Sequence, residues 1–281
     1  MKKAIVIGLG LIGGSFALEL RKRFGYYISG IDANLANLQK AMELNIIDDE
    51  ASYDEIADAD LVVVSVPVNV IPEVVCQALD HVGEQTLVLD MGSVKERICQ
   101  SVANHPNRKH FVATHPLAGT EFSGPEAAIY NLFDEKVMIL CEVDKSDWRL
   151  LDKALDIIKA LKMRIKMMHP DEHDRHIAYV SHLSHVSSFM LGKTVLEIEK
   201  NEQHIFDMAS TGFASTVRLA KSEANTWSPI FLENKENVVK SLDEYIKNLE
   251  EFKKLIVSED SETIKKTIRD TNYIKRVLGG G

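Results

Sequence analysis

Lys3-Ala-Ile-Val-Ile-Gly8-Leu-Gly10-Leu-Ile-Gly13-Gly-Ser15 opens the chain and decides its fold. Residues 3 to 8 read as a fully buried strand, and Ser15 to Arg23 read as a helix entered through the glycines. Gly8 permits the tight turn, Gly10 lets the backbone approach a pyrophosphate, and Gly13 lets the helix lie against the strand. The helix N-terminus offers unpaired N–H groups and a positive dipole end to phosphate. A second apolar run, Tyr27-Ile-Ser-Gly-Ile-Asp32, ends in an acid 19 residues after Gly13. A carboxylate there accepts hydrogen bonds from a ribose 2′-hydroxyl and repels a 2′-phosphate. The expected cofactor is NAD rather than NADP. The residues expected to hold it are Gly8, Leu9, Gly10, Leu11, Ile12, Gly13, Asp32 and, in the strand Leu61-Val-Val-Val-Ser-Val66, Ser65.

Strand and helix alternate through the first 168 residues. Apolar strand-like runs recur at 61–66, 86–90, 110–114, 136–140 and 163–168, with helices expected at 69–79, 94–103 and 147–161. Such alternation implies a mostly parallel, doubly wound Rossmann-like sheet with helices on both faces. After His169-Pro170 no strand pattern recurs. Apolar residues fall at helical spacing over 177–198 and 238–256, and a last helix is expected over 261–277. The expected division is an NAD-binding domain, 1–168, and an all-α substrate and dimerisation domain, 169–281. The long helices carry broad apolar faces that a symmetric homodimer would bury. The Gly279-Gly-Gly281 tail reads as frayed.

Three loops should end where strand C-termini meet ligand: the glycine turn, Asp90-Met-Gly-Ser-Val-Lys95, and His115-Pro-Leu-Ala-Gly-Thr-Glu-Phe-Ser-Gly124. The last is too rich in breakers for a regular element and sets an imidazole, a hydroxyl and a carboxylate close together. An imidazole suits proton transfer in a hydride-transfer enzyme, so His115 is the candidate base. Ser93 sits at the expected N-cap of the next helix; it either caps that helix or touches the substrate hydroxyl or nicotinamide. Lys95, in the first turn, is expected to be solvated. Glu121 is a surface charge or a carboxylate that orients substrate. On the helical half, His182 and His185 share a face, and either could face the pocket. Arg218 is the best guanidinium for a bidentate carboxylate contact, with a plain salt bridge as the alternative. His169, His173 and His176 lack metal-site order, so no metal is expected.

A net charge of −9 disfavours nonspecific nucleic-acid binding, whose main term is attraction to phosphate. No apolar run reaches the length of a membrane span, and the apolar run after Met1-Lys-Lys breaks at Gly8, unlike a signal peptide. Cys76, Cys99 and Cys141 form no paired motif and read as free thiols. A cytoplasmic enzyme acting on a small molecule is expected.

Over nearly its whole length the chain resembles the prephenate/arogenate dehydrogenase family. The elements are Gly8-Leu-Gly-Leu-Ile-Gly13-Gly-Ser15, Gly92-Ser-Val-Lys95, His115-Pro-Leu-Ala-Gly-Thr-Glu121 with Ser123-Gly124, Val180-Ser-His-Leu-Ser-His185, and Arg218-Leu-Ala-Lys-Ser222 followed by Phe231-Leu-Glu-Asn-Lys235. The resemblance implies NAD-dependent oxidative decarboxylation of prephenate to 4-hydroxyphenylpyruvate, carbon dioxide and NADH, on the route to tyrosine. It implies that His115 meets the ring hydroxyl with help from Ser93, and that Arg218 holds the ring carboxylate. By the same resemblance His185 lies near the pyruvyl side chain, and Thr120 and Glu121 line the pocket. The chain departs from the family at Ser215, where many relatives carry an acid that would orient the arginine. Neither a fused mutase nor a C-terminal regulatory module is expected. Other readings are arogenate as preferred substrate, a β-hydroxyacid dehydrogenase, and a non-enzymatic NAD-binding sensor.

Overall fold

Alternate residues of the first strand, β1 (Lys3–Ile7), face opposite sides of one sheet: Ala4 and Val6 enter one apolar core, Ile5 and Ile7 the other. A strand buried on both faces needs no polar side, which is why this run is continuously apolar. The computed structural model describes residues 1–200 and 205–278, and the expected frayed tail Gly279-Gly-Gly281 lies outside the described residues.

The elements follow as α1 (Leu11–Phe24), β2 (Tyr27–Ile31), α2 (Leu35–Glu43), β3 (Asp49–Glu50), β4 (Leu61–Val64), α3 (Ile71–Asp80), β5 (Leu87–Asp90), α4 (Glu96–Val102), β6 (Phe111–Pro116), β7 (Val137–Cys141), α5 (Trp148–Ala160) and β8 (Arg164–Met168). The strands form one eight-stranded sheet in the order β3-β2-β1-β4-β5-β6-β7-β8. Every pairing is parallel except β6 with β7, where His115 stands opposite Ile139. A parallel pairing needs a crossover that carries the chain back along the sheet. Between β6 and β7 the described chain offers only the short 3-10 turn Pro125–Ala127, so the next strand reverses. The C-terminal ends of β1, β4, β5 and β6 therefore share one edge, and the strand order switches between β1 and β4. That crevice is where an open α/β sheet takes its ligand.

The α1 helix starts four residues earlier than its apolar pattern suggested, at Leu11. Asn34 caps α2 and Asp147 caps α5, each accepting the amide two residues on. Beyond β8 the described chain is helical: α6 (Pro170–Ile177), a π turn at Ala178–His182, α7 (Leu183–Glu199), α8 (Thr211–Thr216), α9 (Ala224–Glu233), α10 (Lys235–Val257), α11 (Ser261–Thr271) and α12 (Ile274–Leu278). The single last helix expected over 261–277 is interrupted at Asn272 and Tyr273.

The chain divides into two compact units, Met1–Lys235 and Glu236–Gly281. In the first, α9 reaches the sheet, since Ile230 joins the core that holds Ile7, Val64 and Val88. In the second, α10 and α11 flank a cavity lined by Leu249, Phe252 and Ile268. Ile256, Val257, Tyr273, Ile274 and Val277 leave it strongly apolar at the surface. No described helix is long and apolar enough to cross a membrane.

Candidate active site

At the switch point the backbone makes a cradle that side chains would destroy. Gly8 has φ +92°, and a Cβ there would lie 2.4 Å from the Ser65 carbonyl oxygen; one on Gly13 would lie 2.0 Å from the Gly8 carbonyl oxygen. Space beside Gly10 is open. Gly10 is also the N-cap of α1 and brings no side chain to its free amides, so the first turn, including Leu11 and Ile12, is left to an anion. Asp32 follows β2, and its Oδ2 accepts the Leu9 amide at 2.9 Å while Oδ1 accepts the Asn34 amide at 2.8 Å. Leu9 thus spends its N–H on Asp32 and buries its side chain in the core. These residues fit a dinucleotide: a bare cradle for the pyrophosphate and, after the neighbouring strand, a carboxylate fixed by two backbone amides. Ser65, half-buried, donates its amide to Ile7 and closes the β1–β4 end of the cradle.

The loop after β5 corrects two expectations. Lys95 is not solvated: it is fully buried, its Nζ pairs with Asp90 and donates to the Thr114 carbonyl at 2.6 Å. Asp90 also accepts the Gly92 and Thr114 amides. A buried ammonium needs such partners, and this one ties the end of β5 to the end of β6, one residue before His115. Nor is Ser93 an N-cap. The helix starts at Glu96, and its first amides are closed by a distant side chain, Asp174 of α6, whose Oδ1 accepts Lys95 N at 2.7 Å and Oδ2 accepts Glu96 N at 2.9 Å. Ser93 is half-buried, and its hydroxyl has no partner among the described residues.

His115 lies at the end of β6, buried, with Nδ1 2.8 Å from Nε2 of His173 on α6. The rings meet edge to face at 5.0 Å. His173 in turn sets Nδ1 2.7 Å from Asp174 Oδ1. Burial above all, then the neighbouring His173, Lys95 and His182, holds the His115 imidazole well below its ordinary 6.5. It is therefore neutral, as a proton acceptor must be. His182 is fully buried; its Nδ1 faces Asn234 Nδ2 at 3.2 Å, and burial pulls it down to about 4. Asn234 also donates to the Asp174 carbonyl at 2.7 Å, so His182 Nδ1 is an acceptor and the proton sits on Nε2. That Nε2 has no hydrogen-bond partner among the described residues.

His185 donates Nδ1–H to the Ser181 carbonyl at 2.9 Å, which leaves Nε2 as an acceptor. Its ring stacks on Trp227 at 3.3 Å. Burial and the nearby Arg218 charge both lower its pKa. The π turn explains the helical register. His173 and His185 are twelve positions apart, about 120° out of phase on a plain α-helix at about 100° per residue. A π turn holds one residue more for the same rotation, which brings the two within about 20°.

Arg218, just after α8, is exposed, with no ion pair or hydrogen bond among the described residues, and Ser215 supplies no carboxylate to orient it. The salt-bridge alternative for Arg218 thus finds no partner in the described structure. Of these groups Arg218 carries the standing charge, and His185 is the imidazole it reaches. Thr120 is exposed and its Oγ1 accepts the Phe122 amide at 3.2 Å, while Glu121 is half-exposed; no described interaction joins either to Arg218.

No group of three metal-holding side chains exists among the described residues: His173 is buried against His115, whereas His169 and His176 are exposed. Cys76, Cys99 and Cys141 are free, and burial pushes the Cys99 and Cys141 thiols up to about 12, so neither is a nucleophile. Sequence reasoning missed His173, Asp174, Asn234 and Trp227. Pro170 followed by Asp171 and Glu172 does mark a helix start, but nothing local says which side chain of that helix meets His115.

A family model described as prephenate dehydrogenase, nucleotide-binding domain, matches residues 16–167, and one described as prephenate dehydrogenase, dimerization domain, matches residues 169–270. The chain is 30% identical, over 94% of its length and 73% of the relative's, to the prephenate dehydrogenase of Bacillus subtilis (strain 168). It is 29% identical to the cyclohexadienyl dehydrogenase of Zymomonas mobilis, over 99% of this chain and 96% of that one. A crystal structure of prephenate dehydrogenase from A. aeolicus in complex with hydroxyphenyl propionate and NAD+ has a TM-score of 0.88 and 35% identity, covering 99% of this chain and 98% of that one.

Proposed function

The chain belongs to the prephenate dehydrogenase family, and from that premise we propose how its residues carry the reaction. It is an NAD-dependent oxidoreductase that converts prephenate to 4-hydroxyphenylpyruvate, carbon dioxide and NADH. Bound NAD supplies the hydride acceptor. Gly8 to Gly13 with the amides of α1 hold the pyrophosphate, Asp32 holds the ribose hydroxyls, and Ser65 flanks the cradle.

His115 accepts the ring hydroxyl proton at Nε2 as that carbon gives up hydride, so the hydroxyl becomes a carbonyl. General-base assistance of this kind contributes about 10² to 10⁴-fold. The ring carboxylate then leaves as carbon dioxide, its bonding electrons enter the ring, and aromatisation drives the step. Ser93, free of any capping duty, supports the hydroxyl. Arg218 takes the ring carboxylate through its guanidinium fork. His185, with Nε2 open, lies toward the pyruvyl group, and His182 forms the buried wall behind it. Thr120 and Glu121 close the pocket from the loop after β6.

One observation carries this reading: a neutral, buried His115 stands on the sheet edge where the glycine cradle opens. We place the working boundary of the two domains at 168/169, because β8 ends there and no described strand follows. The apolar surfaces of α10 and α11, in the region matched as a dimerization domain, support a homodimer. Three free thiols suit a reducing, cytoplasmic setting. NADH formation with prephenate and with arogenate at equal concentration tests the function. Prephenate should be the faster; arogenate as the faster would reassign the substrate, and turnover of neither would remove the reading.

A further inference from the structure

We propose that His173 and Asp174 are positioning residues that fix the ring tautomer of His115, so that Nε2 always carries the lone pair offered to the substrate hydroxyl. The proposal rests on His115 being the base of the reaction above.

Asp174 sets the direction of every hydrogen bond in the series. Its Oδ1 accepts the Lys95 amide and its Oδ2 accepts the Glu96 amide. Backbone amides only donate, so both oxygens are acceptors. His173 Nδ1, 2.7 Å from Oδ1, is therefore a donor. A neutral His173 then presents Nε2 as a lone pair, and His115 Nδ1, 2.8 Å away, has to donate to it. The single ring proton of neutral His115 is thereby committed to Nδ1. In imidazole pairs the nitrogen that is protonated is set by the bond the other nitrogen makes. Held the other way round, His115 would present N–H to the hydroxyl and could not take its proton. When His115 does take that proton, its charge lies one imidazole away from the Asp174 carboxylate, which stabilises it without itself being protonated.

The positioning pair is buried. His173 and Asp174 are both 2% exposed, so water does not compete for these bonds. Lys95 faces the pair from the loop after β5 but spends its ammonium on Asp90 and the Thr114 carbonyl. His182 faces it from the π turn, with its lone pair turned to Asn234. Asp174 also closes the N-terminus of α4, so one carboxylate sets both the base and the loop that carries Ser93.

Ring nitrogens with and without a proton are distinguished by their 15N resonances. In the wild-type protein, above the titration of His115, Nδ1 should be protonated and Nε2 bare. His173→Leu removes the acceptor, so the proton should move to Nε2 and kcat with prephenate fall about a hundredfold, with NAD affinity unchanged. His173→Gln, which offers a carbonyl to His115 and an amide to Asp174, should restore the Nδ1–H form and most of kcat. A proton on Nε2 in the wild type, or wild-type kcat in His173→Leu, would overturn the proposal. Should His173→Leu not fold, the wild-type spectrum and His173→Gln still decide it. If the wild type fails to oxidise prephenate, the assigned reaction falls, while the tautomer stands or falls on the spectrum alone.

Discussion

Lys95→Met tests the buried joint beneath the active site. The substitution keeps the length of the side chain and removes its charge. The Asp90 carboxylate is then left fully buried, with the Gly92 and Thr114 amides as its remaining donors. Removing one partner from a buried pair costs about 3–5 kcal/mol, because the other charge stays desolvated. For a chain of this size about 2–4 °C of Tm goes with each kcal/mol, so Tm should fall by about 6–20 °C. Thermal and urea unfolding at one fixed protein concentration reads the loss without confusing it with dimer dissociation. Asp90→Asn combined with Lys95→Met removes the stranded charge and should recover at least half of it. A Lys95→Met protein within about 1 kcal/mol of the wild type would refute the reasoning, since the ammonium would then be solvated in solution.

Arg218→Lys keeps the charge but loses the fork; KM for prephenate should rise about 10–100-fold, as expected for lost charge-assisted hydrogen bonds, with KM for NAD unchanged in the same initial-rate assays. Asp32→Asn should weaken NAD about tenfold and narrow its preference over NADP in titrations of both; an unchanged preference would remove Asp32 from cofactor selection. Stability should fall as pH drops from about 6.5 toward 4. The folded protein keeps His115 and His182 neutral, His182 down to about 4, while the unfolded chain binds their protons at ordinary pKa. The unfolded state therefore holds more protons across that window, and stability rises with pH there. Urea midpoints that stay flat between the two limits would contradict the burial of these rings.

What the sequence revealed was local. The turn Gly8 to Gly13, Asp32 and the apolar strands each announce themselves within a few residues, because a bare phosphate cradle and a doubly buried strand constrain composition directly. The β3 strand, two residues long, and the amphipathic but short α2 carry too little pattern to be seen. Lys95 and Ser93 depart from their expected places through contacts made only in the fold. The Lys95 ammonium turns inward to Asp90 and the Thr114 carbonyl, while Ser93 has no capping duty because Asp174, 78 residues after Glu96, closes α4. Likewise His173 looks like any polar-helix histidine until α6 is folded against β6. The phase of His185 depends on a π turn that no hydrophobic period encodes. Long-range hydrogen bonds and helix defects were the illegible part, and in this chain they converge on His115.

Steady-state NADH formation from prephenate by His115→Asn, set beside its NAD affinity by calorimetry, bears most directly on this account. Loss of at least about a hundredfold in kcat with NAD binding unchanged is the expected result. Turnover equal to the wild type would take the proton transfer away from this imidazole and contradict the account.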